Sequence, residues 1–361
     1  MNLHIVPDNT FINAFYDNLE ELGLLHENRI IVRTNHKNLL AVSRKLPFAP
    51  LYSSQFAALV GDSFQYQKVF IHYFTPLLYR WVAQHRFREL NWMVWGGDLY
   101  NLPQLDHLCY EPITLAEYIK KNLSFKKLLY DLKVWAIHAP FKNKAYASVD
   151  YVLTWMKQEY EFAQQHLPIK SDFKFFFYEN QFPYDKLDAF RQKTTNREKL
   201  SLVIGNSGSP ANNHLDVINF LEKHRVKADL LIPVSYGDKR YISFLKKELR
   251  YSYGNVEFVE RYMKFEEYLE FLSNADALVM NTIRPQGYGN ILMMLYMGKP
   301  VFFNERNISL PDLTRYEISW QPLRELVSFT RTGGDVLASN SDAVINLFSH
   351  DRLLAAYRKL F

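Results

Sequence analysis

Short apolar runs alternate with stretches of helical period along nearly the whole chain. Residues 3–6, 29–33, 68–73 and 91–95 read as buried strands, and 150–154 and 174–178 continue the series. Between the first two runs, Phe11, Ile12, Phe15, Leu19 and Leu22 fall on one helical face, and Gly23 is placed to end that helix. A polar, charged stretch at 185–199 reads as a linker. A second series then opens, with strands expected at 200–204, 228–234, 256–259, 275–281 and 299–303. Helices are expected from near Asn213, over 239–250, and where Phe265, Tyr268, Leu269 and Leu272 repeat at i, i+3, i+4 and i+7. A last helix is expected from Ser341 to the end, with Ser341 as its N-cap.

Strands that alternate with helices imply βαβ units and mostly parallel sheets. At 361 residues the chain is long for one core, so two doubly wound α/β domains are expected, 1–190 and 191–361, facing each other across a cleft. The last helix is able to pack back on the N-terminal domain.

Composition narrows the function. The formal charge of +5 is mild, and no zinc-knuckle spacing or RNA-binding motif accompanies it, so no nucleic-acid partner is expected. The single Cys109 excludes an internal disulfide framework and suits a reducing compartment. Residues 1–8 lack the basic start and apolar core of a secretory signal, and no run of about 18 apolar residues occurs. A cytoplasmic protein, or one attached to a membrane from the cytoplasmic side, is expected. The 24 Tyr and 27 Phe suit large cores, sugar platforms and membrane-interface contacts alike.

Candidate chemistry gathers where strands end, the place where ligands meet parallel sheets. N-T-I-R-P-Q-G-Y-G-N at 281–290 reads as a strand end, a glycine turn and a helix start. Such a turn offers N–H groups and a helix N-terminus to an anion, or it is an ordinary loop. Arg284, Gln286, Gly287, Tyr288, Gly289 and Asn290 are its candidate ligand residues, and Arg284 adds a fork-shaped cation. G-N-S-G-S at 205–209 is neither a P-loop nor a dinucleotide fingerprint. Gly205, Asn206, Ser207 and Gly208 still place N–H groups and short side chains where a diphosphate can bind, with Tyr236 at a third strand end. Glu260 is a candidate for ribose or sugar hydroxyls, and Arg261 a further cation.

In the first half, Asp98 in W-G-G-D-L-Y is a candidate general base or a turn aspartate. His72 is a second candidate base or a structural histidine. No D-x-D, H-E-x-x-H, cysteine pair or G-x-S-x-G occurs at these strand ends, so no metal, cofactor or serine nucleophile is expected. Residues 114–144 interleave Lys120, Lys121, Lys126, Lys127 and Lys133 with Tyr118, Ile119, Leu123, Phe125, Leu128, Leu129 and Trp135. That mixture suits an anionic membrane surface or a solvated helix with one core face.

Three motifs together, W-G-G-D-L-Y (95–100), V-I-G-N-S-G followed by N-N-H (203–214) and R-P-Q-G-Y-G-N (284–290), resemble glycosyltransferase family 56. I-H-Y-F-T-P (71–76) and F-E-E-Y-L (265–269) extend the likeness. The chain departs from the family pattern at Pro285, at Tyr288 and at Ser209–Pro210. The resemblance implies a GT-B fold, with the donor nucleotide-sugar on the C-terminal domain and the acceptor on the N-terminal one. It also implies inverting, metal-independent transfer. The family's best-known activity moves 4-acetamido-4,6-dideoxygalactose from a TDP donor to a polyprenyl-diphosphate-linked saccharide of enterobacterial common antigen. The same fold admits another donor or acceptor, an epimerase or hydrolase, or a non-catalytic glycan binder.

Overall fold

The computed structural model describes residues 1–121, 125–178, 184–191, 198–330 and 335–361, with backbone alone at 125–128, 130–131, 185 and 335–339. The chain divides into two compact units. The first comprises Met1–Leu105, Ser124–Asn180 and Ser349–Phe361, and the second Asp106–Leu123 and Gln181–Phe348.

The first unit is built on β1 (Asn2–Pro7), β2 (Asn28–Arg33), β3 (Phe48–Ala49), β4 (Val69–His72), β5 (Leu90–Met93), β6 (Tyr151–Thr154) and β7 (Asp172–Phe175). Their spatial order is β3-β2-β1-β4-β5-β6-β7, and the pairings are parallel. β1 therefore lies between β2 and β4, in register Leu3 to Arg29 on one side and Leu3 to Val69 on the other. The chain reverses its direction of winding there, which opens a crevice at the strands' carboxyl ends. Such strands are covered on both faces, so they read as continuous apolar runs: Leu3, Ile5, Ile31, Val69, Phe70 and Trp92 are fully buried. The helix His350–Leu360 completes this core. Its Tyr357 hydroxyl donates to the Tyr178 carbonyl (2.7 Å), and the Phe361 ring lies 4.9 Å from Phe70.

The second unit repeats the plan with β8 (Leu200–Ile204), β9 (Ala228–Pro233), β10 (Val256–Val259), β11 (Ala277–Met280), β12 (Val301–Phe303) and β13 (Gln321–Pro322). The order is β10-β9-β8-β11-β12-β13, again parallel, and the winding reverses between β8 and β11. Leu202, Ile204, Leu230, Ile232 and Val279 form its core with Val217, Ile218 and Leu221 of the helix His214–Lys223.

Two expectations are corrected. Ser341 is no N-cap: it lies inside the helix Asp335–Phe348, and its hydroxyl donates to the Tyr296 carbonyl (2.6 Å). The cap belongs to Ser349, whose hydroxyl accepts from the Arg352 N–H. The two-residue strands β3 and β13 carry too few positions to show a period. Asp106–Leu123, expected in the first domain, belongs to the second unit. Asp216 explains why: its carboxylate accepts from the N–H groups of Ile113 (2.8 Å) and Thr114 (2.9 Å) and from the Thr114 hydroxyl (2.6 Å).

That docking divides the basic aromatic segment. Tyr118 is buried, 4.7 Å from Tyr241 and 5.1 Å from Phe244, so it faces core. Leu123 and the side chains of Phe125, Lys126, Lys127 and Leu128 lie outside the described residues. Within the helix Phe125–Ala147, Leu129, Leu132, Trp135 and Ile137 are exposed, Trp135 to 66%. No helix among the described residues is long and apolar enough to cross a membrane.

Replacing Asp216 with Ala leaves the Ile113 and Thr114 N–H groups without their acceptor. We expect a loss of about 1–3 kcal/mol in the unfolding free energy of the second unit and faster amide exchange across 106–121. Unchanged exchange there would refute the anchoring role.

Candidate active site

In the second unit the reversal between β8 and β11 brings two loops together. Gln286 Nε2 donates to Asn206 Oδ1 (3.0 Å), and Asn206 Nδ2 donates to the Tyr236 hydroxyl (2.9 Å). Arg284 Nε donates to Gln286 Oε1 (3.0 Å). One chain of hydrogen bonds thus ties the ends of β8, β9 and β11 and holds the guanidinium at a set angle. Gly287 makes the approach possible. Its φ of +70° is left-handed, and a Cβ there would stand 2.9 Å from Asn206 Cγ and 2.9 Å from Met280 Cε.

From Gly287 the helix Tyr288–Tyr296 begins. Its first N–H groups, on Tyr288, Gly289 and Asn290, have no carbonyl one turn earlier in the helix to bond, which gives this end its positive character. Asn290 Nδ2 donates to the Tyr268 hydroxyl (2.7 Å), so the helix start is braced from the helix Phe265–Ser273.

The first glycine loop is built differently from expectation. The N–H of Gly205 bonds the Val279 carbonyl (2.9 Å), that of Asn206 bonds Asn212 Oδ1 (3.3 Å), and that of Gly208 bonds the Tyr236 carbonyl (2.8 Å). Asn212 Nδ2 also donates to the Ser207 carbonyl (2.9 Å). These three N–H groups shape the loop and are spent on Asn212 and on neighbouring carbonyls, and the Asn206 side chain joins the loop to the network.

Other candidates stand apart from this network. Glu260, at the end of the edge strand β10, pairs with Lys246 (2.7 Å). Arg261 pairs with Glu267. Both are exposed surface pairs, which contribute little.

Sequence reasoning missed the supports beneath the loops. Asn213 sits at φ +50° and its Nδ2 donates to the Asn281 carbonyl (2.9 Å). Asn304 Nδ2 donates to Asn281 Oδ1 (2.9 Å) and to Glu111 Oε1 (2.9 Å). The signal was an asparagine just past three of the strands, Asn206 after β8, Asn281 after β11 and Asn304 after β12.

In the first unit both candidate bases are turned inward. Asp98 is 2% exposed. Its Oδ2 accepts from the Phe74 N–H (2.8 Å) and Trp92 Nε1 (2.7 Å), and its Oδ1 from the Trp95 N–H (3.0 Å). The carboxylate thereby joins the turns that follow β4 and β5. Burial holds its pKa above the usual carboxylate range, and the three N–H donors oppose that rise.

His72 is fully buried in a chain whose direction can be derived. Asn28 Nδ2 donates to the Leu24 carbonyl (2.9 Å), so Asn28 Oδ1 is the acceptor facing His4 Nε2 (2.9 Å). Burial pushes the His4 pKa down to about 3, so the ring is neutral and its Nδ1 accepts from His72 Nε2 (3.1 Å). Burial also depresses His72 strongly, and its Nδ1 accepts from the Tyr178 hydroxyl. Both nitrogens are occupied.

Among the described residues no group of His, Cys, Asp or Glu is arranged to hold a metal ion. Cys109 is buried, and burial pushes its thiol up to about 12, far from a reactive thiolate.

Two parallel α/β units, each reversed at its centre, are the architecture of the GT-B fold, and solved structures share that fold over the whole chain. A sucrose-phosphate synthase from Thermosynechococcus elongatus aligns with TM-score 0.61 at 12% identity, covering 100% of this chain and 98% of that one. A glycosyltransferase from Rickettsia africae gives 0.58 at 12%, covering 99% and 97%. Anabaena HepE in complex with UDP-glucose gives 0.56 at 12%, covering 100% and 99%. The model of the 4-alpha-L-fucosyltransferase family, glycosyl transferase group 56, matches residues 140–331, and the chain belongs to that family.

Because Asp98 has a folded-state pKa above its ordinary 3.8, its contribution to stability is full below that value and falls as pH rises through the raised one. Replacing Asp98 with Asn removes this slope and sets an amide NH2 against N–H donors, at a cost of about 1–3 kcal/mol. Urea unfolding from about pH 4 to about pH 7 measures both effects. Equal stability and equal slope would show that the carboxylate is not the anchor.

Proposed function

We propose that the chain transfers an acetamido-deoxysugar, 4-acetamido-4,6-dideoxygalactose from TDP, to a polyprenyl-diphosphate-linked saccharide in bacterial surface polysaccharide synthesis. Family membership supports the reaction class, and the linked chain Arg284–Gln286–Asn206–Tyr236 supports the donor site. The departing diphosphate carries the charge that grows as the glycosidic bond breaks. Arg284 and the N-terminus of the helix Tyr288–Tyr296 are preorganised donors of the kind that stabilises such charge. HepE, which shares the fold, binds UDP-glucose.

The transfer is inverting in this reading, one in-line displacement, and needs no metal. A base must offer a lone pair to the acceptor hydroxyl, whereas Asp98 and His72 are buried, with both oxygens of one and both nitrogens of the other already partnered within the first unit. We therefore infer that both are positioning residues rather than the base.

Attachment to the cytoplasmic face of the inner membrane is part of the same proposal. Its contact is Leu129, Leu132, Trp135 and Ile137 of the helix Phe125–Ala147, not residues 114–121. Replacing Leu132 and Trp135 with Glu should abolish cosedimentation with phosphatidylglycerol vesicles while leaving nucleotide binding intact. Undiminished cosedimentation would remove the helix from that role.

Donor choice is tested by thermal shift with TDP-, UDP- and GDP-sugars, where a ligand at about a hundred times its dissociation constant adds about 2.7 kcal/mol. TDP-sugars should stabilise most, and replacing Arg284 with Ala should weaken them about tenfold or more. Preferential stabilisation by GDP-sugars would overturn the donor assignment.

A further inference from the structure

The carboxyl edge of the first sheet carries four aromatic rings. Trp95, just past β5, lies 5.4 Å from Phe11, 5.7 Å from Tyr73 and 5.3 Å from Tyr178, measured between ring centroids. Phe11 and Tyr178 are themselves 6.2 Å apart. The four come from separate strand ends: after β1, β4, β5 and β7. They therefore converge around the crevice where the winding reverses, beside β1 and β4.

These rings differ from the core aromatics. Phe70, Phe74, Trp92 and Tyr146 are fully buried, whereas Phe11 is 38% exposed and Tyr73, Trp95 and Tyr178 are partly exposed. Three of them are also held by polar groups. The N–H of Trp95 is fixed by Asp98, and the Tyr178 hydroxyl by His72. Tyr73 sits at φ +63°, a left-handed conformation that costs a tyrosine energy, and its carbonyl accepts from Arg33 Nη2 (2.8 Å). Gly97 leaves room for its ring, since a Cβ there would stand 3.1 Å from the Tyr73 hydroxyl. Buried hydrogen bonds and a strained residue thus maintain a rigid, accessible aromatic surface, which burial of the rings would not require.

We propose that Phe11, Tyr73, Trp95 and Tyr178 form a stacking subsite for a pyranose ring of the acceptor saccharide, a refinement that rests on the glycosyltransferase reading above. A pyranose has an apolar C–H face as wide as an indole ring and a rim of hydroxyls. Rigid aromatic side chains bind such a face at small entropic cost and leave the rim in reach of water or polar groups. The surface explains what Asp98 and His72 are for: Asp98 fixes the backbone that carries Trp95, and His72 holds the Tyr178 hydroxyl.

The test uses the full chain and methyl glycosides of glucose, galactose, mannose and N-acetylglucosamine as probes, with saturation-transfer NMR as the readout. At least one glycoside should receive saturation through its ring C–H protons. Phe11→Ala and Trp95→Ala should weaken its binding about tenfold, and Trp95→Phe should restore most of it. Phe11 is exposed enough that its replacement should leave the fold intact, which circular dichroism checks. Tyr178→Phe keeps the ring but frees it from His72, and should weaken binding less than Trp95→Ala. No transfer to any glycoside, or equal transfer in wild type and Trp95→Ala, overturns the subsite. Competition by prenyl diphosphate alone, with glycosides inert, overturns it in favour of a lipid-chain site. Nucleotide-dependent stabilisation is read separately in the second unit. Its loss with glycoside binding kept would strike the donor reading and leave this one standing.

Discussion

The hydrogen bond from Gln286 to Asn206 is the contact on which the second unit's functional edge depends. It spans β8 and β11, adjacent in space but far apart in the chain, and it forms only because residue 287 has no side chain. Through it the guanidinium of Arg284 is held at its Nε, and Tyr236 is drawn in from β9. A side chain at 287 would have to displace Asn206 or Met280 and would also face a left-handed backbone. The geometry of one turn thus sets where the guanidinium sits.

The first unit solves a different problem with similar means. Its carboxyl edge is organised by polar groups taken out of water: a carboxylate under two turns, and two neutral imidazoles in line from Asn28 to Tyr178. Buried groups of this kind are costly unless every lone pair is met. Both oxygens of Asp98 and both nitrogens of each histidine have partners. The benefit is orientation: each polar chain ends on an aromatic ring or on the turn that carries one.

The segment Asp106–Leu123 leaves the first unit's stretch of chain and is captured by Asp216, by Asn213, which accepts from the Glu111 N–H, and by Asp238, which accepts from the Tyr118 hydroxyl. The final helix makes the opposite excursion, closing the first unit's core with Tyr357 and Phe361. Neither excursion leaves a mark on local periodicity, because an amphipathic segment looks the same whichever core it serves.

The sequence by itself determined the strands, the parallel sheets and the loops that matter. The run 200–204 is largely apolar because a sheet covered on both faces requires it, and it became β8 without change. The motifs at 95–100, 203–214 and 284–290 were likewise legible, since turns need glycine and strand ends are where ligands gather. Only the tertiary structure decided what each polar residue does there. Asp98 and His72 point inward, the N–H groups of Gly205, Asn206 and Gly208 are spent on neighbours, and Glu260 meets Lys246 rather than the network. Residue type fixes what a side chain is able to bond. Which partner it finds depends on residues distant in the chain, and that pairing exists only once the sheets have formed.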